Sequence, residues 1–130
     1  MVFEQDSSVE IPDSFKWASL ISLRLPNCGI VSLDRSMHML PALEYLDVSR
    51  NDIAHIVHLQ DCSALTSINL SGNRVRVLAN IHRVLGCVLE IDLSNNYIES
   101  LDGLDKLVVF ANISLSATCS YYFIRFPLPP

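Results

Sequence analysis

Three sets of residues could do chemistry. Asp47 and Asp92 are candidates for the paired carboxylates of general acid–base work. His55 and His58, three positions apart, have a spacing used by metal ligands. Cys28 and Cys62 could act as nucleophiles if a base lay nearby and lowered their pKa. The densest polar stretch is LEYLDVSRNDI, residues 43–53, which carries Glu44, Asp47, Arg50, Asn51 and Asp52 between apolar residues. Whether any of these groups meet depends on the elements that position them.

Those elements repeat. LISLRLPNCGI (20–30), LEYLDVSRNDI (43–53), LTSINLSGNRV (65–75) and VLEIDLSNNYI (88–98) share the template L-x-x-L-x-L-x-x-N/C-x-L, with Ile or Val in place of Leu. Their starts are 23, 22 and 23 residues apart. This template and period are the leucine-rich repeat signature. A degenerate fifth copy begins at Phe110 and fails at Thr118 and Ser120, where Asn and an aliphatic are expected. The fold expected is an α/β leucine-rich repeat solenoid with a parallel sheet on its concave face. The expected organisation is an N-terminal extension and cap over 1–19, repeats over 20–117 and a divergent apolar tail over 118–130.

Within each copy the central L-x-L alternates, so it predicts a short strand with inward and outward residues. Leu46 and Val48 point inward; Tyr45, Asp47 and Ser49 point outward. The returns carry apolar residues every third position, such as Ile53, Ile56, Leu59, Cys62 and Leu65, a spacing that suits 3₁₀ turns. Ile98, Leu101, Leu104, Leu107 and Phe110 repeat the pattern. At the N-terminal edge Ile11, Phe15 and Trp17 are expected to cover the first strand.

The repeat reassigns most of the chemistry. Asn51, Asn73 and Asn96 occupy the place where the chain turns out of its strand, and an amide there can satisfy stranded backbone groups. Cys28 holds that place in the first copy, and with Cys62 on an aliphatic position both thiols read as buried and inert. Asp47 and Asp92 have Asn69 between them, so two strand steps separate them by about 10 Å. His55 and His58 sit on a return with no third ligand in view, and His38 and His82 are isolated; all four read as exposed. No catalytic, metal or cofactor site is expected. The outward residues Arg24, Tyr45, Asp47, Arg50, Asn69, Glu90, Asp92 and Asn95 are the expected partner-binding surface.

Composition supports a binding domain. The chain has 130 residues, half of them hydrophobic, enough for one domain with a core. A net charge of −5 argues against nucleic acid, which needs a surplus of Lys and Arg. The N-terminus is acidic and lacks the apolar core of a signal peptide. Four cysteines without a CxxC pair read as reduced thiols. Residues 107–124 carry no charge, yet their polar residues and overlap with the fifth copy argue against a membrane span.

The period and the N-x-I-x-x-I/L return resemble SDS22-like leucine-rich repeats. LPALEYLDVSRNDI (40–53), HLQDCSALTSINLSGN (58–73) and LEIDLSNNYIESLDGLDKL (89–107) resemble the repeat region of the nischarin (imidazoline-receptor-like) family, over about two-thirds of the chain. That resemblance implies a cytoplasmic, endosome-associated scaffold that binds small GTPases, p21-activated kinases or integrin tails. The family carries a PX domain before its repeats, and the N-terminal residues here are too few for one. No direct lipid site is therefore expected, and the chain reads as a fragment of a longer protein. A generic SDS22-like regulatory subunit, of a phosphatase or a ciliary complex, is the alternative. An enzyme or a membrane-anchored receptor fragment ranks below both.

Overall fold

The computed structural model describes residues 2–4, 16–79, 81–85, 88–100, 103 and 112–114. Among the described residues six three-residue strands form one parallel sheet in chain order: β1 (Val2–Glu4), β2 (Ser22–Arg24), β3 (Tyr45–Asp47), β4 (Ser67–Asn69), β5 (Glu90–Asp92) and β6 (Asn112–Ser114). The register follows the repeat template. Leu23, Leu46, Ile68, Ile91 and Ile113 stand opposite one another, and Arg24, Asp47, Asn69, Asp92 and Ser114 form the next row. A parallel sheet of this register together with the repeated template fits a leucine-rich repeat solenoid.

The template's apolar positions build the core. Leu20, Leu43, Leu65 and Val88 open the four copies and are buried, as are Val48, Leu70 and Leu93 beyond the strands. Ile53, Val75 and Ile98 close the copies and are also buried. The first copy is looser, with Leu25 and Ile30 only half-buried. Each strand packs on its sequence neighbours, so burial is contributed copy by copy.

The returns, expected as short 3₁₀ or irregular segments, differ from copy to copy. Residues 53–65 place Ile53, Leu59, Cys62 and Leu65 in the core without forming a helix. A 3₁₀ segment appears instead at Arg35–Met39, where the Asp34 side chain caps the Ser36 N–H at 2.8 Å. A single α-turn, α1 (Ile81–Val84), buries Ile81 in the next return. Spacing of three fixes which residues go inward, while the local backbone follows from turn chemistry such as the Asp34 cap.

β1 is a further difference. The sheet extends into the segment read as an extension, pairing Val2 with Ser22 and Glu4 with Arg24. No template marks it, because Gln5 and Glu10 stand where the register with β2 calls for apolar residues. Trp17 packs half-buried against the core from a 3₁₀ turn at Trp17–Ser19; Ile11 and Phe15 lie outside the described residues. The tail 118–130 and most of 107–124 also lie outside them. Among the described residues no helix is long and apolar enough to cross a membrane.

Candidate functional site

Asn51, Asn73 and Asn96 are buried and stitch each copy to the one before it. Asn73 Oδ1 accepts the Ile53 N–H at 3.0 Å, and its Nδ2 donates to the carbonyls of Val48 at 3.0 Å and Leu70 at 2.9 Å. Asn96 repeats the set one copy later, accepting from Val75 N–H and donating to Leu70, Leu93 and Ser94. Asn51 accepts from both Cys28 N–H and Ile30 N–H and donates to Leu25, Val48 and Ser49. Each amide thus satisfies backbone groups that leave the sheet ladder at the turn.

Cys28 differs from that pattern. It is exposed, and its Sγ–H contacts the Pro26 carbonyl two residues back. The expectation of a buried, inert thiol is corrected here. Cys62 is buried, and burial pushes its thiol pKa up, with Asp61 adding to the effect. Neither Cys28 nor Cys62 is disulfide-bonded.

The residue just before each ladder position has a left-handed backbone. φ is 53° at Asn27, 55° at Arg50, 69° at Gly72 and 55° at Asn95. Three of these are the residue types that adopt this conformation readily; Arg50 is not. Arg50 is exposed, and a Cβ at Gly72 would stand 3.4 Å from its Cγ. The bare Gly72 backbone therefore seats the aliphatic stem of Arg50 on the next copy.

The middle outward row has a structural task that its charge conceals. Asp47 Oδ1 accepts the Ser49 N–H, Asn69 Oδ1 the Ser71 N–H and Asp92 Oδ1 the Ser94 N–H, each at 3.0 Å. The signal was present in the sequence as D/N-x-S at 47–49, 69–71 and 92–94. It is the motif in which a short acceptor side chain bonds the backbone two residues on. Asp47 goes further: it is only 4% exposed, so it is not the open surface residue expected from alternation. Its other oxygen lies 3.6 Å from Arg24 Nε across β2 and β3. Outward on a strand is thus not the same as accessible, because a short side chain is covered by longer neighbours.

What remains accessible is a band of mixed character. Tyr45 is half-buried, and burial first, then the Asp47 carboxylate, hold its phenol above the usual tyrosine range against the opposing pull of Arg24. Glu90 is exposed and accepts from Ser67 Oγ at 3.3 Å; Asn69 and Asp92 are half-buried; Arg24, Arg50 and Asn95 are exposed. Asp47 and Asp92 are two registered strands apart with Asn69 between, so they do not form a carboxylate pair.

The histidines are more varied than expected. His38 and His55 are exposed, and His38 Nδ1 contacts the Arg35 carbonyl. His58 and His82 are half-buried, which corrects the expectation for both. His58 sits at a left-handed turn, and His82 lies on α1 beside the core.

Comparison with known proteins agrees with the geometry. Residues 18–75 match the leucine rich repeat family. An acidic leucine-rich nuclear phosphoprotein 32-related protein 2 of Caenorhabditis elegans is 38% identical over 87 residues, covering 62% of this chain and 38% of that protein. An uncharacterized leucine-rich repeat-containing protein of Schizosaccharomyces pombe is 30% identical over 100 residues, 75% of this chain and 16% of its own length. The alpha subunit of a type-2 geranylgeranyl transferase from Sus scrofa is 33% identical over 78 residues, 56% of this chain and 14% of the subunit. The chain therefore spans well under half the length of these relatives, and the transferase likeness is confined to a small part of that subunit. Stacked leucine-rich repeats in general present extended surfaces on which proteins bind.

Proposed function

We propose that this chain is a non-catalytic protein-binding module that takes its partner on the outward, concave face of the sheet. The observation that carries the reading is Arg50. It occupies a left-handed position that Asn or Gly fills in the other copies, it is exposed, and it makes no ion pair among the described residues. An arginine kept where the backbone disfavours it is a pointer to function. Tyr45 and Arg24 lie on the same face, and Tyr and Arg are the types that dominate interface energetics.

The finer reading is a nischarin-like scaffold in signalling or endosomal traffic, cytoplasmic, with small GTPases, p21-activated kinases or integrin tails as partners. It rests on the resemblance of 40–53, 58–73 and 89–107. A generic SDS22-like regulatory subunit is the second reading. The breadth of the relatives favours it, since a nuclear phosphoprotein-related protein and a geranylgeranyl transferase subunit each align with more than half of this chain.

A benzophenone amino acid placed at position 45, with one at exposed Ser63 as control, tests the face in cells. Crosslinks from 45 to a small GTPase, a p21-activated kinase or an integrin tail support the first reading. Crosslinks to a phosphatase catalytic subunit support the second. Crosslinking from 63 but not from 45 contradicts both.

A further inference from the structure

Beyond the outward face lies a second surface, on the edge where the chain leaves the ladder. Ala54, His55, Arg74, Arg76, Val77 and Tyr97 line a groove of about 540 Å³ there. That volume is within the range of small-ligand and side-chain pockets. Val77 is 63% exposed and Tyr97 60%, so the groove holds two adjacent exposed apolar side chains. Among the described residues no carboxylate lines the groove, although the chain as a whole carries a net charge of −5.

The frame beneath the groove is fixed. Arg74 N–H donates to Ile53 O at 2.8 Å, Tyr97 N–H to Val75 O at 3.0 Å and Glu99 N–H to Arg76 O at 3.1 Å, while Asn73 and Asn96 hold the adjoining turns. The side chains are therefore presented from backbone locked between copies rather than from a loose loop.

Both arginines have a carboxylate neighbour outside the lining. Arg74 Nε lies 3.2 Å from Asp52 Oδ1, and Arg76 Nη1 lies 3.3 Å from Glu99 Oε1. All four side chains are largely exposed, so these pairs are weak and exchangeable. A guanidinium has five N–H donors, and each of these makes one such contact among the described residues. Donors remain for a second carboxylate on either arginine.

We propose that this edge groove binds an acidic peptide segment of a protein partner. One apolar or aromatic side chain of the segment packs on Val77 and Tyr97, and its flanking carboxylates pair with Arg74 and Arg76. The apolar anchor supplies burial, and the carboxylates supply orientation and steering.

Fluorescence polarisation on the full chain tests this with fluorescein-labelled Glu-Glu-Trp-Glu-Glu and its Gln and Lys analogues. Saturable binding is expected for the Glu peptide, weakened by added salt and at least tenfold weaker for the Gln peptide. The Arg74→Gln/Arg76→Gln pair and Tyr97→Ala should each weaken it at least tenfold, with Ser63→Ala unchanged; circular dichroism checks that each variant is folded. Absence of saturable binding, equal binding of the Lys peptide, or full binding by the folded arginine variant would overturn the proposal.

Discussion

Asn73 Nδ2 donates to the Val48 carbonyl, 25 residues back in the preceding copy, at 3.0 Å. The same amide accepts from Ile53 N–H, so one side chain ties two copies at a donor and an acceptor. Val48 O also receives Asn51 Nδ2, and Leu70 O receives both Asn73 and Asn96. The amides share their acceptors, which makes the ladder continuous.

In Asn73→Ala the carbonyls of Val48 and Leu70 keep a neighbouring amide, while the buried Ile53 N–H loses its acceptor. Stability should fall by about 2–3 kcal/mol, the cost of an orphaned buried donor plus a small void. Urea denaturation measures it. A loss no larger than that of Ser63→Ala would contradict the ladder's role.

Cys28 and Cys62 should react differently in the native protein. Cys28 is exposed, whereas Cys62 is buried with its thiol pKa raised, so less thiolate is available for attack. Brief maleimide labelling followed by peptide mapping should modify Cys28 and spare Cys62 until denaturant is added. Cys28→Ala should shift stability by no more than about 0.5 kcal/mol.

Arg50 should be replaceable with a gain. Its φ of 55° is left-handed, where Asn resides with little strain. Arg50→Asn is expected to raise the denaturation midpoint by the equivalent of up to about 1 kcal/mol at an unchanged slope. The same variant should lose partner binding. A gain in stability with full binding would assign Arg50 no functional role.

Asp47 separates its two contacts by substitution. Asp47→Asn retains the acceptor for Ser49 N–H and removes the charge facing Arg24; Asp47→Ala removes both. The Asn variant should lose less than about 1 kcal/mol, since Arg24 is substantially exposed, and the Ala variant about 2 kcal/mol. Equal losses would show that the turn bond contributes nothing.

Tyr45 sets an alkaline limit. Burial first, then Asp47, raise its pKa above the ordinary 10.0. The folded state therefore holds the phenolic proton more tightly, and that stabilisation is complete below the unfolded value. It is lost as pH rises through the higher folded value. Denaturation midpoints between about pH 9 and about pH 11 should fall more steeply for the wild type than for Tyr45→Phe.

Much of this architecture was legible because it is periodic. Leu46, Ile68 and Ile91 stand in register as the 22–23-residue spacing requires, and the ladder asparagines follow from backbone groups that must be satisfied. Features that depend on a single local contact were not legible. The burial of Asp47 comes from its contact with Arg24 and the cover of longer neighbours, which alternation does not encode. Cys28 stands at a ladder position yet is exposed, which its place in the template does not encode, and β1 carries no template because Gln5 and Glu10 stand where the register calls for apolar residues. The edge groove gathers residues from three copies, and no linear motif joins Ala54, Arg76 and Tyr97.

The central claim is that the outward face, rather than a reactive site, carries the function. Its most direct measurement is quantitative affinity capture from cell extract with the wild type and with Tyr45→Ala/Arg50→Ala, each checked for an intact fold by circular dichroism. Specific partners recovered by the wild type should fall at least tenfold with the double variant. Recovery of the same proteins in the same amounts by both would contradict it.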